Sequence, residues 1–442
     1  MDRPTGMRAF MIVWAGQVAS LLGSAMTSFA LTIWAYQLTG SATVLALVGF
    51  FNFGPSILFG PLAGALVDRW NRKLVMMLSD LGAGVSTIAI LILYSTGNLQ
   101  IWHLYVAGAV SGVFNTFQWP AYSAAISTML PKAQYARANG MLSLAESVSG
   151  VFAPVFATAL LVIIGISGVM LIDVVTFLFA IGTLLVIFVP QPEPSAAGAE
   201  GKGSLWQESI YGFRYILRRP SLLGLQLTFF FFNLTGVFGM TLRPPMLLAR
   251  TGSEEAVLAA VQSIGAVGSV VGGVLLSVSG GPRRKVHGVL LTMIGVSLFS
   301  AILMGLGQNL VVWSIAALVS GLILPFLNGS NQAIWQAKIP PDLQGRVFAA
   351  RRMIAQMAGP IGMLLAGPLA DQVFEPALMP GGALVPVFGG LVGTGPGAGM
   401  GLMLMITGAL GVLVGLGAYA FHAIRNAEDL LPDHGATTQA AA

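Results

Sequence analysis

Apolar residues fall in long, nearly uninterrupted runs along this chain, and the runs are separated by short clusters of Gly, Pro and charge. A bilayer core about 30 Å thick takes about 20 mostly apolar residues per helix, and in lipid only helices or closed barrels satisfy their backbone groups. On that template the runs predict helices over 9–36, 42–66, 74–96, 101–129, 138–164 and 167–190, then over 221–248, 255–279, 286–306, 309–337, 345–370 and 400–424. The first run is too long for the apolar core of a signal peptide and lacks a small-residue cleavage site, so it is expected to stay as a spanning helix.

Composition strengthens this picture. Of 442 residues, 56% are hydrophobic, 8% are charged and none is Cys, whereas a water-soluble domain carries about 25% charged residues. The net charge of +5 therefore points to topology rather than to nucleic acid. If the N-terminus lies inside, the basic residues on that side include Arg3, Arg8, Arg69, Arg72, Lys73, Arg137, Arg283, Arg284, Lys285, Lys338, Arg346 and Arg425, and only Arg243 and Arg250 fall outside, so 19 of 21 (21 − 2) obey the positive-inside rule. Both termini are then cytoplasmic.

The stretch PQPEPSAAGAEGKG, Pro190 to Gly203, divides the chain: it is rich in Pro, Ala and Gly and poor in large apolar side chains. The next sixteen residues set Trp206, Ile210, Phe213 and Leu217 on one helical face and Arg214 and Arg218 on another, which predicts a helix on the cytoplasmic surface. The expected organisation is a first bundle over 1–190, a linker over 191–220, a second bundle over 221–425 and a cytoplasmic tail over 426–442. The halves echo each other. GALVDRWNRK ends at Lys73 and SGGPRRK at Lys285, 212 positions on (285 − 73), while LPKAQYAR ends at Arg137 and IPPDLQGR at Arg346, 209 positions on (346 − 137). Near-equal offsets on one membrane side predict a parallel repeat of a six-helix unit.

These stretches, together with WAGQVAS (14–20), FGPLAGALVDRWNRK (59–73), SDL (79–81), IDV (172–174), LPFLNGSNQAIWQAKIPPDLQGRVF (324–348), AGPIG (358–362) and GPLAD (367–371), resemble the major facilitator superfamily and, within it, the macrolide-efflux-type drug exporters. The Gly- and Pro-rich segment 374–399 and EDLLPD (428–433) are similar to a broader branch of the same transporters. The resemblance implies an all-α integral membrane protein with twelve transmembrane helices in two six-helix pseudo-repeats. It implies secondary active export of hydrophobic or amphiphilic small molecules, cations included, by alternating access. It also implies a monomer in the inner membrane of a prokaryote, with protons, a small-molecule substrate and the lipid bilayer as partners, no nucleic acid, and a proton gradient in place of any cofactor.

Four charges close the loop Gly64–Lys73. Arg69, Arg72 and Lys73 suit a cytoplasmic loop against anionic headgroups. Asp68 is unfavourable beside its own helix C-terminus and becomes favourable against another helix N-terminus or an arginine. By similarity to the family loop, Asp68 would latch the two halves on the cytoplasmic side, with Arg69, Arg72 and Lys73 completing a gate; a plain topology signal is the alternative.

Ionisable groups within spans are the strongest functional pointers, since each costs several kcal/mol to bury charged. By helical rise Glu146 lies about 13 Å into the fifth helix, near the midplane, whereas Asp80 and Asp173 each lie about two turns in from opposite surfaces. Glu146 is therefore the first candidate for a carboxylate that exchanges a proton between states, with Asp80 and Asp173 behind it; a Glu hydrogen-bonded between helices, or one that binds a cationic substrate, would carry the same signature. Arg243, Arg351 and Arg352 lie near helix ends and read as snorkelling anchors. The chain departs from the family where related exporters carry an arginine on helix 4, having Ser111 in AVSGVFN, and where SGVFAP (149–154) replaces a Gly-rich motif of antiporters.

In this superfamily helices 1, 4, 7 and 10 line the central cavity. That implies a substrate surface from Gln17 and Ser24, from Asn115, Gln118, Trp119 and Tyr122, from Phe232 and Asn233 in FFFFN, and from Asn328, Asn331, Gln332 and Trp335. Sparse hydrogen-bonding groups on apolar walls suit an amphiphilic molecule, and Asn or Gln holding helices together is the structural alternative. An enzyme is not expected: no Cys is present, no two of the four His lie at metal-ligand spacing, and GGLVGTGPGAGMG matches neither a dinucleotide nor a P-loop pattern. Export of a native metabolite, or a non-transporting sensor or scramblase on the same fold, are the competing readings.

Overall fold

The structure is a computed structural model that describes residues 6–130, 135–190, 212–279, 281–339 and 341–430. Among these residues there is no β-strand. The first five helices are α1 (Gly6–Thr39), α2 (Ala42–Arg69), α3 (Arg72–Ser95), α4 (Ile101–Met129) and α5 (Tyr135–Val186). α5 is two spans joined by a sharp bend at Gly165, whose φ of 64° and ψ of −176° suit a residue without Cβ. The bend falls in the break expected between 164 and 167.

After the linker come α6 (Pro220–Thr251), α7 (Glu255–Ser279) and α8 (Lys285–Val296), which runs through a π-helical turn (Ser297–Ile302) into α9 (Leu303–Leu306). Then follow α10 (Leu310–Lys338), α11 (Pro341–Gln356), α12 (Ala358–Leu369), a second π turn (Ala370–Phe374) into α13 (Glu375–Leu378), α14 (Val385–Val392), α15 (Ala398–Ala420) and the one-turn α16 (His422–Arg425) and α17 (Ala427–Leu430). Ten stretches of the described residues are long and apolar enough to cross a membrane. One of them, Leu144–Val186, contains the Gly165 bend and so supplies two crossings, and the 29-residue α4 stands outside the ten. Together these give the twelve spans expected. The repeat shows in the elements too: α4 and α10 are both 29 residues long, and their last residues, Met129 and Lys338, are 209 positions apart (338 − 129).

By contacts the chain forms two compact units: Met1–Glu193 with Leu247–Ser263, and Pro194–Met246 with Ile264–Ala442. In the first unit α1 packs along α5, α2 and α3 along α4, and α3 also against α5. The segment Leu247–Ser263 is tied on by a bond from Ser263 Oγ to the Val151 carbonyl (2.6 Å) and one from Gln37 Nε2 to Glu255 (3.4 Å). In the second unit α8 packs against α10 and α15 around a core that includes Trp335, Leu225, Met293 and Ile424. Residues 212–217 are helical and bury Tyr215 and Ile216 in that core with Phe213 packed against it, while Leu217 stays exposed, so of the described residues the helical-face pattern singled out, Phe213 makes the apolar contact and Leu217 does not. Trp206 and Ile210 lie outside the described residues.

Large apolar side chains are plentiful on the surface: Val162 is 83% exposed, Val278 84% and Leu58 74%. In water such a surface would aggregate; against lipid it costs nothing, and packing between helices comes from close fit rather than from exclusion of water. Polar caps finish the helices. Asn71 and Asn309 accept from the N–H groups of Leu74 (3.2 Å) and Val312 (3.0 Å) at the starts of α3 and α10. The segment 374–399 is ordered: the Glu375 carboxylate accepts from the N–H groups of Gly397 (3.0 Å) and Met400 (2.7 Å) at the start of α15, and α14 packs with Leu378, Ala398 and Leu402.

Candidate functional site

The polar residues of the first unit are stacked in two tiers. Gln17 and Ser24 are seven positions apart on α1, and Asp80 and Thr87 seven apart on α3, so each pair shares a helix face with about 10 Å between its members. In the lower-numbered tier Gln17 Nε2 donates to Asp80 Oδ2 (2.8 Å), and Gln118 Nε2, from α4, donates to Asp80 Oδ1 (2.9 Å) and to Gln17 Oε1 (2.9 Å). In the other tier Ser24 Oγ donates to Asp173 Oδ1 (2.9 Å) and Thr87 Oγ1 to Asp173 Oδ2 (3.1 Å). Both carboxylates are buried, Asp80 8% and Asp173 2% exposed. The α1–α5 approach that brings Ser24 to Asp173 requires Gly23, where a Cβ would collide with Thr176 Oγ1 and press on the Asp173 backbone.

Both tiers open onto one cavity of about 440 Å³, walled by α1, α2, α3, α4 and the second arm of α5. Apolar walls come from residues such as Leu31, Val48, Ile90, Leu104 and Phe177, and polar groups from Gln17, Ser24, Thr87, Asn115, Gln118 and the two aspartates. No Lys or Arg is among the lining residues. Ser111, at the position where the family resemblance would put an arginine, lines the wall instead. Each carboxylate is therefore held by neutral donors alone. A charge so placed costs several kcal/mol relative to water, only partly offset by its hydrogen bonds. Such a site favours a proton or a cation as the missing partner.

Of the expected site residues, Gln17, Ser24, Asp80, Asn115, Gln118 and Asp173 line this cavity. Glu146 does not: its side chain is exposed on the first arm of α5 and is not part of the wall. Tyr122 is packed in the core with its ring 6.5 Å from that of Phe10, and only the backbone of Trp119 is described, within α4. In the second unit Phe232 and Trp335 are core residues, Asn233 is half-buried and Asn328 is exposed. Asn331 is buried and its Oδ1 accepts from Trp335 Nε1 (3.1 Å). Gln332 accepts from Arg351 (2.8 Å), whose guanidinium also lies over the Trp335 ring at 5.1 Å, so Arg351 is bound within its unit rather than reaching for an interface.

In the loop motif Gly64–Lys73 the side chains of Asp68 and Arg69 lie outside the described residues. Arg72 is buried. Lys73 turns to the carbonyls of Leu185 (3.2 Å) and Ile187 (2.8 Å), neutralising the negative end of α5. Sequence reasoning missed Thr87, Thr27, Ser20 and Asn52 in the cavity wall. The seven-residue spacing from Asp80 was the available signal for Thr87. Among the described residues no group of His, Asp and Glu is arranged to hold a metal.

Comparison with known proteins agrees with this architecture. Macrolide efflux protein A of Streptococcus pyogenes is 27% identical over 376 residues, covering 82% of this chain and 90% of that protein. The multidrug efflux pump Tap of Mycolicibacterium fortuitum is 29% identical over 367 residues, covering 79% and 86%. A crystal structure of a bacterial homolog of the human lysosomal transporter Spinster, inward-facing and unoccupied, shares the fold at a TM-score of 0.68 and 16% identity, over 95% of this chain and 97% of that one. The family model for the Major Facilitator Superfamily matches residues 13–363, and with its twelve spans in two repeated halves the chain belongs to that superfamily of membrane transporters.

Proposed function

We propose that this transporter is a proton-coupled exporter of hydrophobic or amphiphilic cations, and that Asp80 and Asp173 are its coupling and recognition groups. One observation carries the reading: two buried carboxylates in a single apolar-walled cavity, each held by neutral donors and neither facing a basic residue. A proton and a cation competing for one carboxylate give exchange, because loading one expels the other. The named drug-efflux relatives support the direction and the substrate class. The cavity, about 440 Å³, lies within the range of drug-sized sites. Burial favours these two aspartates over the exposed Glu146 as the coupling groups.

In this reading the protein is a monomer with both termini in the cytoplasm, works by alternating access, uses no cofactor and catalyses no covalent chemistry. The test is accumulation of a fluorescent hydrophobic cation in inverted vesicles under an imposed pH gradient, comparing native protein with Asp80→Asn, Asp173→Asn and Glu146→Gln. The expected result is gradient-dependent uptake by native and Glu146→Gln vesicles and its loss in both aspartate variants. Uptake that survives in both aspartate variants while Glu146→Gln abolishes it would move the coupling site to Glu146.

A further inference from the structure

The second unit holds a cation that nothing above uses. Arg243 sits on α6, eight positions (251 − 243) or about 12 Å before its end. Among the described residues its one hydrogen bond runs from a terminal nitrogen to Ser300 Oγ (3.0 Å), and its Nε is sealed from solvent and meets no acceptor there. Pro244 and Pro245 follow directly, and the two N–H groups they lack leave the carbonyls one turn back without helical partners. Those carbonyls do not take up the guanidinium. No carboxylate among the described residues pairs with it either, since the single ion pair there is Arg284 with Asp429. Ser300 stands in the π-helical turn that interrupts α8, and π turns concentrate at functional sites. Its hydroxyl accepts from Arg243, so its own hydrogen is available to a further acceptor.

A guanidinium keeps its charge in proteins, so neutralising this one requires an anion to come to it. We propose that Arg243 and Ser300 form a binding site for one small monoanion, either a halide or the carboxylate of a transported molecule, with Arg243 Nε–H and the Ser300 hydroxyl as its donors. Among the described residues no acidic side chain pairs with Arg243, and one guanidinium matches one negative charge. The site is independent of the coupling carboxylates in the first unit and stands whether or not Asp80 carries protons.

The test is thermal unfolding of the purified full-length protein in sodium chloride, sodium acetate and sodium isethionate, a bulky sulfonate, at equal ionic strength. A ligand of the native state alone raises the midpoint with the logarithm of its concentration. The native protein is expected to gain stability in chloride or acetate over isethionate, Ser300→Ala to lose part of that gain and Arg243→Gln all of it. A response to chloride assigns the site to a halide; a response to acetate alone assigns it to a substrate carboxylate. Should Arg243→Gln fail to fold, Arg243→Lys, which keeps the charge without the Nε–H, is expected to respond less than native. A native midpoint that is the same in all three anions, or a full anion response in Arg243→Gln or Arg243→Lys, overturns the proposal.

Discussion

Replacing Asp80 with Asn separates the chemistry of the first tier from its architecture. Asn keeps the volume and removes the charge, but one carboxylate oxygen becomes an NH₂ group facing an amide NH₂ of Gln17 or Gln118, each of which now donates at 2.8–2.9 Å. Gln118 has a spare acceptor, its unpartnered Oε1, and can turn it toward the new donor only by giving up its bond to Gln17. One hydrogen bond is lost on either path, a cost of about 1 kcal/mol, reduced by whatever burial of the charge had cost. Asp173→Asn is different, because the Ser24 and Thr87 hydroxyls can rotate from donor to acceptor; its cost should stay within about 0.5 kcal/mol. For a unit of about 200 residues, a difference of about 0.5–1 kcal/mol should make the Asp80 variant unfold roughly 1–4 °C below the Asp173 variant. Both should lose gradient-driven uptake at least about tenfold, because each removes a charge held at a site of high desolvation cost. Thermal unfolding in detergent and dye uptake in inverted vesicles measure the two quantities. Equal midpoints for the two variants would refute the hydrogen-bond reasoning, and intact uptake by a stable Asp80→Asn protein would refute its part in coupling.

Four further outcomes follow from the packing. Gly23→Val should destabilise the first unit by about 1–3 kcal/mol, since its side chain collides with Thr176 and the Asp173 backbone; thermal unfolding checks this, and an unchanged midpoint would mean that the α1–α5 contact is loose. Glu375→Gln should weaken the start of α15 by about 1 kcal/mol, because one acceptor oxygen and the charge near the helix N-terminus are lost; faster amide exchange at Gly397 and Met400 reads it. At the other end of the second unit, the Glu428 carboxylate accepts from the N–H groups of Lys285 (3.1 Å) and Val286 (2.9 Å). Glu428→Gln should speed exchange there, whereas Asp429→Asn should change stability by less than about 0.5 kcal/mol, its ion pair with Arg284 being 3.5 Å long with both side chains about 60% exposed.

The number and length of the spans, the break at Gly165 and the repeat offset were all legible in the chain, because a bilayer imposes one length on every helix and Gly marks where the backbone turns. Position along each helix was legible as well, through the fixed rise per residue. Facing was not. In a soluble helix the polar face points to water and reveals the buried side, but a lipid-facing wall is as apolar as a packed one, so a residue's direction around its helix leaves no trace in hydropathy. Glu146 illustrates the consequence: its position well inside its helix made it the leading candidate, yet its side chain is exposed, while Asp80 and Asp173, closer to the ends of their helices, are buried. In FFFFN, Phe231 is 49% exposed and its neighbour Phe232 only 6%. The sequence by itself determined a twelve-span, two-repeat membrane transporter. Tertiary structure alone decided which carboxylates share a cavity, because that depends on how α1, α3, α4 and α5 are rotated against one another, and close packing at residues such as Gly23, rather than polarity, sets that rotation.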